Sequence, residues 1–379
     1  MVGMRRVRTS RTLLVGSGFA VLALLAGCSS NGGTSNATST SPSASASPTV
    51  SPTPTPKPTP SSPLSGLPGG IGKPIVAVKI DNIVDARPHV GIQSADLVYV
   101  EEVEGGLTRI MALFNTTYPK KIGPVRSARI SDIDLLAPYN HILFAYSGAQ
   151  QKMYPIIAAA PVIDVGDNYA SNAYTRDYTR YAPHNLFANG PTLVADGLPK
   201  KPTMAHDMGW VFNATPPAGG IATTSVKAYW PAATATATWD PTTNKWIIGF
   251  DGSAERDVAT GRAVRAATVI IQYVDQTNSI FHDHFGGITP YIHSIGTGHF
   301  IVLRNGRRWG GTWLRPNAAS PTQYWVAGRI FPFNVGPEWI FLVKNDRPVT
   351  ITPTPAPAAK PTASATPLKG SQTHASPKS

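Results

Sequence analysis

The sequence predicts an α+β fold: an N-terminal mixed α/β-sheet domain followed by a smaller β-rich domain, with disordered Ser/Thr/Pro-rich segments on either side. Three observations predict it. Before residue 209, β-branched runs with strand character give way to helical spacing of Ile130, Ile133 and Leu136. Around Gly209 to Ser225, Ala214-Thr215-Pro216-Pro217-Ala218-Gly219-Gly220 interrupts the apolar patterning. Beyond that seam come short apolar runs separated by turns, the pattern of an antiparallel β domain.

Residues 1–27 read as an export signal. Arg5, Arg6, Arg8 and Arg11 form a cationic start, Leu13 to Leu25 an apolar run, and Leu25-Ala26-Gly27-Cys28 ends it on the chain's one cysteine. This pattern is that of a bacterial lipoprotein, cut before Cys28 and acylated on its thiol. The apolar run falls short of the roughly twenty residues that cross a bilayer. The mature chain is thus expected outside the cytoplasm, lipid-anchored to the bacterial cell membrane through Cys28. Two or three acyl chains, at about 0.8 kcal/mol per buried methylene, hold a protein far better than one.

Residues 28–65 read as a disordered tether, Ser, Thr, Ala, Asn and Pro with few large apolar residues to offset ordering entropy. Residues 351–379 repeat that composition. The first domain spans residues 66–208. Pro74 to Ile80 is its first strand, and Leu97 to Val103 and Leu107 to Phe114 form a hairpin. A two-residue Gly105-Gly106 turn places Glu102 opposite Arg109, a cross-strand ion pair that need have no function. Pro124 suits the first turn of a helix. There, free amides, the Ser127 hydroxyl, and Arg126 with Arg129 three residues on form an anion cradle. An equal alternative pairs these arginines internally with Glu101, Glu104 or Asp132. His141 to Tyr146 is a further strand, and His184 beside Asn185 sits in a loop after a tyrosine-rich stretch. The second domain spans residues 225–350, with strands at Ala235 to Trp239, Trp246 to Phe250, Ala267 to Val274, Ile280 to Phe285, Phe300 to Leu303 and Ile340 to Val343. Seven of the eight tryptophans follow the seam, as core packing or as platforms for sugar rings.

Charge narrows the function. Eight cations lie in the signal, tether and tail, so the net +12 falls to +4 for the remainder. No arginine-rich arm, zinc-finger spacing or RRM-type aromatic motif occurs, so nucleic acid is excluded as a partner. His282 and His284, with His293 and His299 downstream, bring only two imidazoles close together, too few for a metal site. No cofactor is implied.

Several strings carry a resemblance. Ala86-Arg87-Pro88, Ser94-Ala95-Asp96-Leu97-Val98-Tyr99, Val103-Glu104-Gly105-Gly106-Leu107-Thr108-Arg109, Gly123-Pro124-Val125-Arg126-Ser127-Ala128-Arg129 and Pro183-His184-Asn185 resemble, in order, the motifs of the YerB-like lipoproteins. That family is named for a domain of unknown function with N- and C-terminal parts. The resemblance covers most of Lys73 to Val343 and implies the same α+β and β-rich pair. It supplies no reaction. Val100 stands where the family often has Glu after Val-Tyr, and Glu338 departs from a Gly-x-Thr-Trp string.

Two functions follow. One is a non-enzymatic envelope module, binding an anionic wall component or partner protein through Arg87, Glu104, Arg109, Arg126, Ser127, Arg129, His184 and Asn185. The other is a wall-acting hydrolase or transferase using Glu101 or Glu104 with His184 near Arg126 and Arg129. The absence of Gly-x-Ser-x-Gly, Ser-x-x-Lys, His-Glu-x-x-His and a catalytic cysteine favours binding. No catalytic residue is assigned.

Overall fold

Apolar runs too long to alternate belong in strands covered on both faces, and three of them form the centre of this protein. The computed structural model describes residues 61–355; Cys28, most of the tether and residues 356–379 lie outside the described residues. Strands β1 (Val76–Asp81), β2 (Leu97–Glu102) and β3 (Thr108–Phe114) are buried at every position. Helix α1 (Ser131–Leu136), β4 (Ile142–Ala145), α2 (Tyr154–Ala159), β5 (Val162–Asp164) and α3 (Gly190–Gly197) complete the first half. The second half contributes β6 (Ile221–Trp230), β7 (Ala233–Asp240), β8 (Lys245–Phe250), β9 (Thr268–His282), β10 (Ile288–His293), β11 (Gly296–Arg304), β12 (Arg307–Arg315), β13 (Glu338–Lys344) and β14 (Val349–Pro353).

The expected division into an α/β domain and a separate β domain gives way to a mostly β architecture with one shared sheet. Its strands run in the order β5, β4, β1, β3, β2, β13, β9, β11, β12. The halves join where β2 and β9 flank β13, both parallel to it, with Leu97 and Thr268 opposite Glu338. Strands β6 to β8 pack their Val226, Trp230, Trp246 and Ile248 into the core on the face that holds Val78 and Val98. Helix α1 covers the other face, with Leu135 and Leu136 beside Ala77 and Met111. Five of the seven tryptophans beyond the seam are buried, Trp239 is half-buried, and Trp325 is exposed at 36%. Among the described residues no helix is long and apolar enough to cross a membrane.

Some boundaries move for physical reasons. Ser62 and Ser65, placed in the tether, are buried because their hydroxyls donate to Asn115 (2.9 Å) and Asp96 (2.5 Å). Ile351, placed in the tail, pairs with Val226. The runs expected at 267–274 and 280–285 merge into one strand, β9, which ends at His282 and leaves residues 283–285 in the following turn. The turn Arg304-Asn305-Gly306-Arg307 is as expected: Asn305 and Gly306 both have positive φ (48° and 70°), which a right-twisted two-residue hairpin requires.

Two expectations are corrected. The β2–β3 loop has three residues, Glu104–Gly106, because Val103 N–H donates to Leu107 O at 2.8 Å. One extra residue slips the register, so Glu101 faces Arg109 and Glu102 faces Thr108. The expected Glu102–Arg109 pair does not form, and Glu102 takes Arg347 at 3.1 Å. Nor does a helix start at Pro124. Pro124 O accepts from Asp81 N (2.9 Å), while Val125 N and Arg126 N donate to Leu186 O (2.7 Å) and Lys79 O (2.8 Å). With those amides used in sheet-like pairing, the helix waits until Ser131.

Glu338 starts β13 in the middle of the sheet, 1% exposed and without a hydrogen bond to its carboxyl oxygens among the described residues. Burial drives its carboxyl well above the ordinary 4.5, and the nearby Thr268 hydroxyl, then Arg304 and Lys245, offset only part of that. Folding therefore favours the protonated form, so its contribution is full below 4.5 and is lost as pH rises toward the folded value. Glu338→Gln is expected to raise stability by about 1–3 kcal/mol at neutral pH. Denaturant titrations should show that gain vanish below the ordinary glutamate value.

Candidate anion-binding site

The site begins with alternation on β1, β2 and β3. Ala77, Lys79 and Asp81 point to one face of β1, and the rows across the sheet there change from apolar to ionic. Leu97, Leu113 and Ala77 form one row, Tyr99, Met111 and Lys79 the next, and Glu101, Arg109 and Asp81 the last. Extended residues 125–129 cross the ionic end, pinned by Arg126 N to Lys79 O and by Ala128 N to Gly148 O at 2.9 Å. Backbone pairing thus delivers Arg126, Ser127 and Arg129 to the rim beside Arg109.

A cleft of about 530 Å³ opens there, lined by Arg109, Arg126, Ser127 and Arg129 on one side and by the β9–β10 turn His282–Phe285 on the other. Gln150 Nε2 donates to His282 O at 2.7 Å across it. A smaller hollow of about 190 Å³ shares Arg109 and Arg126 and adds Asp81, Glu104 and His184.

Two of the three guanidinium groups have buried carboxylates. Arg126 Nε donates to Asp81 Oδ2 at 2.8 Å, and Arg129 Nε to Glu104 Oε1 at 2.5 Å. Burial works to raise the Asp81 carboxyl, but Arg126, Arg109 and His184 outweigh it and hold it below the usual range. Glu104 is likewise held low against burial by Arg129 and by a hydrogen bond from the Thr289 hydroxyl. Arg109 differs. Only 7% exposed, it makes no ion pair among the described residues, and Nη1 donates to Ser127 O at 3.0 Å. Burial first, then the neighbouring Arg129, lowers its pKa to about 9.

Of the two sequence alternatives, internal pairing is seen for Arg129 with Glu104, while Arg126 takes Asp81 instead of the acids expected; both arginines still line the open cleft. His184 joins through Nδ1, 2.7 Å from Asp81 Oδ2. Arg87 does not: it pairs with Asp251 and lies over the Phe250 ring in a separate hollow. Asn185 is buried, accepting from Arg176 Nη1 at 2.8 Å. Glu101 is buried against Lys79 and lines neither hollow. Among the described residues no three His, Cys, Asp or Glu side chains group as a metal site. Sequence reading missed Asp81, the anion shared by Arg126 and His184, and the His282–Phe285 wall. The signal for Asp81 was present: Lys79 and Asp81 interrupt a buried strand two residues apart, so they share one face.

Comparison with known proteins agrees with this architecture. Residues 64–203 match the description "Protein of unknown function (DUF3048) N-terminal domain", and residues 225–340 match its C-terminal domain. "Putative lipoprotein YerB" of Bacillus subtilis (strain 168) is 32% identical over 117 residues, 30% of this chain and 34% of that protein. The match thus spans about a third of the relative's length. The crystal structure of YerB protein from Bacillus subtilis superposes with a TM-score of 0.64 at 21% identity, covering 77% of this chain and 100% of that one. At that identity the likeness speaks for the fold alone.

Proposed function

This chain belongs to the DUF3048 family, and from that premise we propose that it is a lipid-anchored extracytoplasmic protein whose body binds an anionic group of a cell-envelope polymer or partner protein. The anchor rests on the Leu25-Ala26-Gly27-Cys28 string and on the lipoprotein description of the Bacillus relative. Lipid attachment at Cys28 would put the body beside wall polymers rich in phosphate and carboxylate.

One observation carries the binding reading: the Arg109 guanidinium is nine-tenths buried at the edge of an open cleft with a backbone carbonyl as its hydrogen-bond partner. An unpaired buried cation costs several kcal/mol. A carboxylate or phosphate in the cleft would remove that cost through a two-pronged contact, with Arg126 and Arg129 at the flanks. The test is retention of the detergent-solubilised full chain on immobilised polymers bearing phosphodiester or carboxylate groups. Retention at low salt, with release by added salt or competing inorganic phosphate, is the expected result. A folded chain that is held by neither polymer overturns the reading.

A second reading has one specific observation in its favour. Asp81 holds Nδ1 of His184, leaving Nε2 without a partner among the described residues at the smaller hollow, as a base in hydrolytic or transfer chemistry is often held. Glu104, kept ionised and occupied by Arg129 and Thr289, is then not the acid. Product release from wall polymer by the wild-type chain, lost in His184→Gln, would favour this reading over simple binding.

A further inference from the structure

Beneath the cleft lies a group of charges that anion binding does not use. Lys79, Glu101 and Asp132 are 0%, 1% and 0% exposed. Lys79 on β1 and Glu101 on β2 reach toward each other over the intervening strand β3, and Lys79 Nζ touches Glu101 Oε1. Asp132, in the first turn of α1, accepts from the same Nζ at 2.6 Å and from Arg129 N at 2.6 Å. Apart from that contact with Lys79, neither carboxyl oxygen of Glu101 has a hydrogen-bond partner among the described residues. Residues 61–355 contain no cysteine, so a covalent strut in this body has to come from other side chains.

We propose that Lys79 and Glu101 condense into an intramolecular amide, with Asp132 as the proton carrier. The charged triad is costly in a dry interior, where removing ions from water outweighs much of their attraction. Condensation deletes one positive and one negative charge together. Proton transfer within the pair yields a neutral amine and a neutral carboxylic acid. Burial favours that form of the amine, lowering Lys79 to about 8 despite Asp132. The Nζ lone pair attacks Cδ of Glu101 and forms the N–C bond. Asp132 takes a proton from nitrogen and returns it to the departing hydroxyl, so the C–O bond breaks and water leaves. One amine and one acid give one amide and one water, with no external oxidant or activating group. Fixed contact between the reactants supplies the effective concentration that solution condensation lacks.

The product would tie β1 to β2 across β3, stapling the ionic end of the sheet under Arg109. The test is peptide mapping by mass spectrometry of the full wild-type chain after denaturation and digestion. A branched peptide joining the segments that contain Lys79 and Glu101, lighter by one water than the two together, is the expected result. Asp132→Ala retains both reacting groups and should yield the two linear peptides. Linear peptides alone from wild-type chain that unfolds cooperatively would overturn the proposal, and so would a branched peptide that persists undiminished in Asp132→Ala.

Discussion

Asp81→Ala is expected to lower folding stability by about 3–5 kcal/mol, the cost of breaking a buried ion pair from one side. Asp81 is 2% exposed and accepts from both Arg126 and His184 through Oδ2. Removing it leaves a half-buried guanidinium and a half-buried imidazole facing a void, with Arg109 directly opposite in the same row. The measurement is the denaturant midpoint at constant slope. The pH dependence gives a second readout. The folded Asp81 carboxyl lies below its ordinary 3.8, so the native state binds fewer protons there than the unfolded chain. Its stabilisation is fully present above 3.8 and is lost as pH falls through the folded value. Asp81→Ala should therefore lose most at neutral pH and approach the wild type in acid. A loss under about 1 kcal/mol would place the pair among exposed bridges that contribute little.

How legible this site was in sequence depends on which kind of information fixes each residue. Arg126, Ser127 and Arg129 were legible as neighbours in the candidate site because they sit within one short string. Their neighbour Arg109 was visible as a cation on a strand. Its pairing was not, since one extra turn residue in Glu104–Gly106 exchanges Glu102 for Glu101 opposite it. The junction of the halves depends on β2 pairing with β13, more than two hundred residues away. No local period or turn signal encodes such a contact. The apolar patterning breaks at 209–225, but the sheet runs on across the two halves, and that continuity is a tertiary fact. Arg87 and Asn185 sit in strings as distinctive as the others and still serve elsewhere, because a motif does not specify which face its side chains reach. Buried Lys79 was passed over inside an apolar run, although a lysine there demands a partner.

Arg109→Met is expected to separate binding from stability. In most buried positions, deleting a charge strands its partner. Here Asp81 keeps Arg126 and His184, Glu104 keeps Arg129 and Thr289, and the Ser127 carbonyl at the cleft can take water. Methionine fills similar length without a charge to desolvate, and replacing a poorly compensated buried ion by an apolar side chain is often neutral or stabilising. Thermal and denaturant unfolding should therefore place Arg109→Met within about 1 kcal/mol of wild type, or above it. Affinity for anionic polymer should fall by about 1.5–3 kcal/mol, roughly ten- to hundredfold, as a charge-assisted contact is lost. Arg109→Lys keeps the charge but not the planar fork, so it should bind with intermediate strength. If Arg109→Met unfolds readily while the residual folded protein binds normally, the guanidinium is a structural cation and the cleft's anion preference must come from Arg126 and Arg129. A stable variant with lost affinity instead identifies Arg109 as a charge kept dry, at the expense of stability, for a ligand that completes it.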